Sequence, residues 1–199
     1  MRKLTGIGLA VAALALAACG QGGKSGAAAE GDMALGAAEG AKVTVVEYAS
    51  VTCGACAAWN ERTWPDFKAR YVDTAKVRYV FREFPTPPQD VAVSGFLVAR
   101  CAGADKYFEV LDHLMRAQTE MHAGIPPRDI LLRIAQGAGL SEAEFQTCIT
   151  DKDAIAAMEK RISAARDAGV THTPTFTVNG EVVADTSLAG LSARIDPLL

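Results

Sequence analysis

Two cysteines separated by two residues are the strongest chemical signal in this sequence. Cys53-Gly54-Ala55-Cys56 follows a β-branched run and opens a pattern of apolar residues that is typical of a helix. A thiolate is the nucleophile in thiol–disulfide exchange, and its pKa falls when it lies at the N-terminus of a helix. The spacing places Cys53 at the start of that helix and Cys56 one turn inside it. The pair is therefore predicted to be redox-active, with Cys53 as the accessible sulfur.

Other chemistries also use a Cys-x-x-Cys pair, and the surrounding residues argue against most of them. Attachment of haem needs a histidine after the second cysteine, where this chain has Ala57. A structural zinc site needs a second pair of ligands, and the sequence has no second Cys-x-x-Cys and no His-x-x-x-His. Cys101, Cys148 and His172 could still be recruited in space, so a structural disulfide or a metal site stays open.

A further cysteine lies at the end of a segment that is typical of secretion signals. Residues 1–18 begin with Arg2 and Lys3 and continue as an uncharged run, shorter than the roughly 20 apolar residues of a transmembrane helix. The run ends in Leu-Ala-Ala-Cys19, which resembles the lipobox of bacterial lipoproteins. We expect residues 1–18 to be a signal peptide and Cys19 to be the lipidated N-terminus. Residues 19–41, rich in Gly and Ala, are expected to form a flexible tether.

The composition favours a globular protein in an oxidising compartment. The chain has 199 residues, is 50% hydrophobic and 22% charged, and carries a formal net charge of −3. These values are typical of a foldable chain, and the slight acidic excess lacks the basic footprint of nucleic-acid-binding proteins. Secretion places a chain where disulfides persist. We therefore expect a protein of the bacterial cell envelope, facing the periplasm and anchored to the membrane by lipid.

The elements that must position the cysteine pair follow from hydrophobic periodicity. Residues 42–49 are a β-branched run that predicts a strand, and residues 76–84, KVRYVFREF, predict a second one. Apolar residues at spacings of three and four predict a helix from Gly54 onward, which Pro65 should kink or interrupt.

The second half of the chain is predicted to be helical and then to return to strands. Residues 89–169 carry only helical patterns, including a capping box that begins at Ser141. Asn179-Gly180 predicts a hairpin turn between two short strands, and Ser187 is a candidate cap for a final helix. Without the helical block the order is βαβ followed by ββα.

Taken together, these stretches resemble the DsbA-like thiol–disulfide oxidoreductases of the thioredoxin superfamily. The matching segments occur in the order and at the spacing of that group: VTVVEYASVTCGAC, KVRYVFREFP and GVTHTPTFTVNG. The resemblance covers Leu35 to the C-terminus. It implies an α/β thioredoxin fold, a central mixed sheet flanked by helices, with an inserted all-helical lobe. The first part of that fold would be residues 42–88, the lobe 89–169 and the second part 170–199.

The resemblance also assigns roles to individual residues. The redox-active pair of the family corresponds to Cys53 and Cys56, its cis-proline to Pro174, and its buried acid to Glu47. The backbone of Thr173 would pair with the substrate chain. Burial would raise the pKa of Glu47, which is expected to accept the proton of Cys56. The alternative for Glu47 is a solvated carboxylate at the edge of its strand.

The dipeptide between the two cysteines departs from DsbA itself, which has Pro-His there. A histidine at that place stabilises the thiolate and makes the disulfide more oxidising, and Gly54-Ala55 cannot do this. The direction of net electron flow therefore stays open. His172, two residues before Pro174, could supply a charge or a dipole beside the site, or it could be an ordinary loop residue.

The resemblance further implies a structural disulfide between Cys101 and Cys148 in the helical lobe. Apolar neighbours surround both cysteines in the sequence, and two buried free thiols or a regulatory pair are the alternatives. Arg82 and Glu83, like the two histidines at 113 and 122, are expected to be ordinary surface or packing residues and receive no role.

The expected activity is exchange of the Cys53–Cys56 disulfide with cysteines of exported proteins, by disulfide formation or isomerisation and without a cofactor. A separate redox partner would have to reset the dithiol. The alternative function is a lipid-anchored protein that binds a soft metal ion, such as copper, through the same two cysteines without turnover. The lack of a Met-rich or His-rich tract counts against that alternative.

Overall fold

The computed structural model describes residues 28–199, in which a five-stranded mixed sheet is flanked by helices. Cys19 and the predicted signal peptide lie outside these described residues. The strands are Met33–Gly36 (β1), Thr44–Ala49 (β2), Arg78–Glu83 (β3), Thr175–Val178 (β4) and Glu181–Val183 (β5). Their order across the sheet is β1-β3-β2-β4-β5. β2 and β3 are parallel, and the other three pairs are antiparallel.

Helices cover both faces of this sheet and form the lobe between β3 and β4. The α-helices of the described residues are Gly54–Arg62 (α1), Trp64–Phe67 (α2), Gln89–Cys101 (α3), Tyr107–Arg116 (α4), Gln118–His122 (α5), Pro127–Gly137 (α6), Glu142–Ile149 (α7), Lys152–Asp167 (α8) and Leu188–Ile195 (α9). A π-helical turn, Lys68–Val72, continues α2, and a 3₁₀ turn, Asp196–Leu198, follows α9. Within the part of the chain that the structure describes, every helix is too short or too polar to cross a bilayer.

From β2 onward the predicted order of elements is confirmed, and with it the thioredoxin fold with an inserted helical lobe. The first helix is interrupted where the sequence predicted, since α1 ends at Arg62 and Pro65 stands in the first turn of the next helix. Proline is tolerated in a first turn because the N–H it lacks would have no partner within the helix there.

β2 lies at the centre of the sheet and determines which side chains reach the cysteine pair. Side chains of a strand alternate between its two faces. Val46 packs with Ala165 of α8 on one face. Val45 lies on the other face, in the larger core that includes α1 and the lobe. Glu47 shares the face of Val45 and so points toward the helix that carries the cysteines.

The expectation of a flexible tether over residues 19–41 is wrong for β1. Met33–Gly36 pairs with the outer edge of β3, where Met33 lies opposite Phe81. Just before the strand, Asp32 accepts two hydrogen bonds from Arg82, at 2.9 and 2.8 Å. The Gly- and Ala-rich composition of this segment predicted disorder. The segment is nevertheless ordered, because Arg82, about 50 residues further along the chain, holds it in place.

Glu83, expected to be an ordinary surface or packing residue, is a packing residue of the interior. Its side chain is buried and accepts hydrogen bonds from Arg100 of α3 and from Tyr107 of α4. Arg161 of α8 lies 3.4 Å from its other carboxylate oxygen. A buried carboxylate needs such partners because desolvation destabilises its charge. Glu83 therefore ties the end of β3 to three helices of the lobe.

Candidate active site

Cys53 caps the helix that it precedes. The chain leaves β2 at Ala49, makes a short turn and enters α1 at Gly54. In that turn Sγ of Cys53 accepts the backbone N–H of Cys56 at 3.2 Å. The first N–H groups of a helix lack partners inside the helix and carry a partial positive charge, so a thiolate placed there is stabilised.

The two cysteines of the pair differ in their access to solvent. Both are free thiols in the structure. Cys53 is 9% exposed, whereas Cys56 is 0% exposed behind it. An incoming sulfur can therefore reach Cys53 directly and cannot reach Cys56.

Their environments also separate the two thiols chemically. The pKa of Cys53 falls from 9.0 to about 6, chiefly because the side chain of Cys56 hydrogen-bonds to its sulfur. Desolvation opposes this shift, and hydrogen bonds from the side chain of Thr173 and from backbone N–H groups add to it. The pKa of Cys56 is raised, first by desolvation and then by the sulfur of Cys53 and the charge of Glu47. Near neutral pH the pair is a Cys53 thiolate beside a Cys56 thiol.

Glu47 is a buried acid behind this pair. It is 2% exposed, and the hydroxyl of Tyr79 donates a hydrogen bond to its Oε2. Desolvation raises the pKa of Glu47 from 4.5 to about 8; the hydrogen bond from Tyr79 acts against this shift, and the charge of Cys53 adds to it. A carboxyl group with this pKa holds its proton at neutral pH and can give it up to a stronger base.

The loop before β4 borders the dithiol on its exposed side. The bond between Thr173 and Pro174 is cis, and the backbone oxygen of Thr173 lies 3.7 Å from Sγ of Cys53. A groove of about 650 Å³ runs beside the pair, and its walls are Ala55, Trp59, Arg62, Thr63, His172, Thr173, Pro174, Thr175, Val182, Val183, Ala184, Thr186 and Ser187. His172 is exposed on this wall, with Nδ1 3.4 Å from the hydroxyl of Thr171. The structure thus brings His172 to the groove beside the dithiol.

Gln118 of the helical lobe holds the active-site turn in place, a role that no sequence pattern indicated. The residue is buried, and its Nε2 donates to the carbonyl oxygens of Val51 at 2.8 Å and of Cys53 at 3.2 Å. From the other side, the hydroxyl of Thr52 donates to the carbonyl oxygen of Thr86 at 2.8 Å. These partners lie 34 to 67 residues away in the chain, so no local pattern could have identified them.

A small cavity next to Glu47 is the second feature that sequence reasoning missed. It measures about 20 Å³, and its lining is Glu47, Asn60, Trp64, Tyr79, Phe81, Phe108, Leu111, Asp112 and Met115. Nδ2 of Asn60 donates to Asp112 at 2.6 Å, and Nε of Arg116 donates to the other oxygen of Asp112 at 2.8 Å. Desolvation alone would raise the pKa of Asp112, but the hydrogen bonds from Arg116 and Asn60 outweigh it and lower that pKa.

The remaining two cysteines lie in the lobe and not at the site. Cys101 and Cys148 form a disulfide that joins the end of α3 to α7, with their Cα atoms 6.3 Å apart. Within residues 28–199, no three side chains of His, Cys, Asp or Glu come together as a group that could hold a metal ion.

A family model described as Thioredoxin matches residues 28–197 of this chain. A curated relative from Rickettsia bellii, whose name describes a protein-disulfide oxidoreductase, is 34% identical over 172 residues, which cover 84% of this chain and 64% of that relative. One from Rickettsia conorii is 33% identical over 172 residues, covering 85% of this chain and 61% of the relative. The chain therefore spans a little under two thirds of the length of these curated relatives.

Solved structures share the same architecture. Wolbachia pipientis alpha-DsbA1 superposes with a TM-score of 0.78 at 25% identity, over 86% of this chain and 92% of that one. The protein-disulfide isomerase from Novosphingobium aromaticivorans superposes with a TM-score of 0.71 over 84% of this chain and 97% of its own. At 18% identity the second likeness shows the fold alone.

Proposed function

Because this chain belongs to the DsbA-like group of the thioredoxin superfamily, we propose that it is a thiol–disulfide oxidoreductase that forms disulfides in exported proteins. The observation that carries the proposal is the asymmetry of the dithiol. Cys53 is accessible and favoured as a thiolate, whereas Cys56 is buried and favoured as a thiol. Such a pair reacts with a substrate through the sulfur of Cys53, and the two electrons taken from the substrate reduce the Cys53–Cys56 disulfide to a dithiol.

In the first step a substrate thiolate attacks Sγ of Cys53 in the Cys53–Cys56 disulfide. A bond forms between the substrate sulfur and Cys53, the bond to Cys56 breaks, and its electron pair leaves with Cys56. Burial disfavours the thiolate of Cys56, so this sulfur must gain a proton as it leaves. Glu47 holds a proton at neutral pH because its pKa is raised to about 8, and it supplies that proton.

In the second step another thiolate of the substrate attacks the substrate sulfur of the mixed disulfide. Cys53 leaves as a thiolate, which the backbone N–H of Cys56 stabilises at 3.2 Å. The substrate has then lost two electrons and gained a disulfide, and the dithiol of the enzyme is reduced. An electron acceptor of the envelope must reoxidise it before the next cycle.

The low pKa of Cys53 favours the oxidising direction over the reducing one. A leaving thiol of lower pKa leaves faster, and stabilising the reduced form makes a disulfide a stronger oxidant. This stabilisation comes from the side chain of Cys56 and the start of the helix, so it does not need a histidine in the dipeptide. Isomerisation would use the same Cys53 thiolate, attacking a mispaired disulfide of the substrate.

The substrate would lie across the dithiol as an extended chain. The backbone of Thr173, beside Sγ of Cys53, offers hydrogen-bonding groups to such a chain. The groove of about 650 Å³ beside Pro174 offers room for side chains of the substrate that neighbour its reacting cysteine. We assign substrate binding to Thr173 and Pro174 on these grounds, with His172 as a modulator on the same wall.

The proposed place of action is the periplasmic face of a bacterial membrane. The support is the sequence alone: an apolar run over residues 4–18 that ends in Leu-Ala-Ala-Cys19. Lipid on Cys19 would hold the enzyme where exported chains emerge. Membrane fractionation with mass spectrometry of the mature N-terminus tests this, and an unmodified chain in the soluble envelope fraction would contradict it.

The function is tested by the reduction potential of the pair together with its action on a protein substrate. The oxidised enzyme should form disulfides in a reduced, unfolded protein at catalytic amounts, and Cys53→Ser should abolish this. Equilibration with glutathione should give a potential nearer about −120 mV, typical of oxidants, than about −270 mV, typical of reductants. A value at the reducing end would make the enzyme a reductase.

A titration with copper(I) separates this function from metal binding at the same two sulfurs. Tight, stoichiometric binding to the reduced protein without any catalysis of exchange would favour the metal-binding alternative. Catalysed exchange in the presence of a copper chelator would favour the oxidoreductase.

A further inference from the structure

The groove beside the dithiol has walls that can carry positive charge. Its lining includes Arg62, at the end of α1, and His172, before the cis-proline. Among the described residues that line it there is no Asp or Glu. Both basic side chains are exposed to solvent. The hydroxyl groups of Thr63 and Ser187 add hydrogen-bond donors to the same walls. The groove therefore offers cationic and neutral donors to whatever enters it.

Arg62 lacks an acidic partner in the part of the chain that the structure describes. Other arginines form ion pairs, for example Arg116 with Asp112 at 2.8 Å. No Asp or Glu of residues 28–199 forms an ion pair with Arg62. A guanidinium stays charged at physiological pH and presents five N–H donors in a planar fork. The donors of Arg62 are therefore available to a carboxylate that enters the groove.

Two acidic residues that neighbour the groove in the sequence are directed elsewhere. Asp185 lies between two lining residues, but its Oδ1 accepts the backbone N–H of Ser187 at 3.0 Å. Glu61 precedes Arg62 in α1 and lines a different groove, which α1 forms with α4 and α5. Neither carboxylate belongs to the lining beside Pro174. A carboxylate that pairs with Arg62 in this groove therefore has to come from a bound chain.

The length of α1 sets the distance between Arg62 and the reacting sulfur. Arg62 follows Cys53 by nine residues. A helix rises about 1.5 Å per residue, so about 14 Å of helix separate the two. An extended chain rises about 3.3 Å per residue. Because the arginine side chain shortens this distance, a substrate residue about two to four positions from the reacting cysteine lies within its reach.

We propose that Arg62 is a specificity-determining residue that selects substrates with an Asp or Glu about two to four positions from the reacting cysteine. This selection rests on the proposed function, since it names the class of substrate that the dithiol oxidises. The guanidinium donates to the carboxylate of the bound chain, and His172 and Thr63 are neighbouring donors on the same walls. Unfolded chains with an acidic residue at that place are therefore oxidised faster than chains with a neutral or basic one.

A cation at the end of a helix also has a purely local role, which the test must separate from selection. Arg62 lies in the last turn of α1, where the partial negative charge of the helix C-terminus attracts it. Arg194 lies in the last turn of α9, is exposed, and does not line the groove. Arg194→Gln is therefore a control with the same change in charge at the same kind of helix end.

The test measures how fast the oxidised full chain oxidises short, unstructured peptides that contain a pair of cysteines. The peptides carry Glu, Gln or Lys at the positions within reach of Arg62, before or after one cysteine. Samples are quenched with acid at intervals, alkylated and weighed by mass spectrometry. The rate of each peptide with oxidised glutathione corrects for the effect of its charge on its own thiols.

In the parent protein the Glu peptide should react about threefold faster than the Gln peptide at low salt, the size expected of a partly exposed ion pair. High salt should weaken this preference because exposed charges are screened. Arg62→Gln should remove the preference, and Arg62→Glu should reverse it in favour of the Lys peptide. Arg194→Gln should keep it.

Equal corrected rates for the Glu and Gln peptides in the parent would overturn the inference. A preference that survives in Arg62→Gln, or one that Arg194→Gln also removes, would do the same. The same peptides with serine in place of cysteine bind without exchange, and titration followed by nuclear magnetic resonance should give the same preference in Kd. Failure of the proposed function looks different, since the parent would then oxidise none of the peptides while the serine peptides still showed the preference and its loss in Arg62→Gln.

Discussion

Replacing Glu47 by Gln should stabilise the reduced protein, and by more at pH 8 than at pH 5. Glutamine has nearly the same size and can accept the hydrogen bond from Tyr79, but it cannot ionise. The substitution therefore removes only the ability of this residue to carry a negative charge. A charge at this buried position destabilises the fold.

The magnitude follows from the two pKa values of the carboxyl group. The unfolded chain releases the proton of Glu47 near 4.5, whereas the folded protein holds it to about 8. Between these values the folded state binds more protons than the unfolded state, so the contribution of Glu47 to the free energy of unfolding falls as the pH rises. It is fully present below pH 4.5 and lost above pH 8. At about 1.36 kcal/mol for each pH unit, the loss is about 3 kcal/mol at pH 7.

Urea unfolding of both proteins across this pH range measures the difference. Both are reduced at the Cys53–Cys56 pair, because the charge of Cys53 contributes to the pKa of Glu47. The difference in free energy of unfolding, Glu47→Gln minus parent, should grow steadily from pH 5 to pH 8. Glu61→Gln, an exposed carboxylate on α1, controls for the loss of one negative charge.

A constant difference between the two proteins from pH 5 to pH 8 would refute this reasoning. It would mean that the folded state releases the proton of Glu47 as readily as the unfolded chain does. Glu47 would then be a carboxylate at neutral pH and could not supply a proton to Cys56.

Other properties of the site give further tests. In the reduced protein the ultraviolet absorbance of the Cys53 thiolate should rise with a midpoint near pH 6, and Cys56→Ala should move that midpoint upward; a midpoint near 9 in the parent would contradict the proposed origin of its reactivity. Replacing both Cys101 and Cys148 by Ala should lower the free energy of unfolding by roughly 4 kcal/mol for a closed loop of 47 residues, and leave the reduction potential of the active pair unchanged. Gln118→Ala leaves two carbonyl oxygens without their donor and should cost about 1–3 kcal/mol and slow exchange. Unchanged exchange in that variant would show that the turn holds its shape without the lobe.

The order of strands and helices could be predicted because each element carries its own local pattern. A β-branched run predicted β2, valines and aromatic residues predicted β3, and the helix after Cys53 follows from apolar spacings of three and four. Pro65 and Asn179-Gly180 fixed two of the breaks, since each residue type restricts the backbone directly.

β1 and the pairing of Glu83 could not be predicted, because both depend on partners far away in the chain. The strand Met33–Gly36 has a composition that favours disorder and is held by β3 and by Arg82. Glu83 has three partners on three different helices, and nothing near it in the sequence indicates that it is buried.

Some residues of the candidate site could likewise be predicted from the sequence, and others could not. The cysteine pair was evident from its spacing, and Glu47 and Pro174 were identified by resemblance to a family. Asp112 and Gln118 belong to the lobe and reach the site across 52 and 65 residues respectively. Only the packing of the lobe against α1 reveals that its side chains contact the site.

The central claim is that Cys53 is the sulfur that exchanges with protein substrates, and trapping the mixed disulfide tests it most directly. Cys56→Ser removes the sulfur that would release a bound substrate, so incubation of this variant with a disulfide-containing unfolded protein should accumulate a covalent complex. Peptide mapping by mass spectrometry should place the substrate cysteine on Cys53, and the Cys53→Ser variant should form no complex. A complex that maps to another cysteine, or one that forms as readily in Cys53→Ser, would contradict the account.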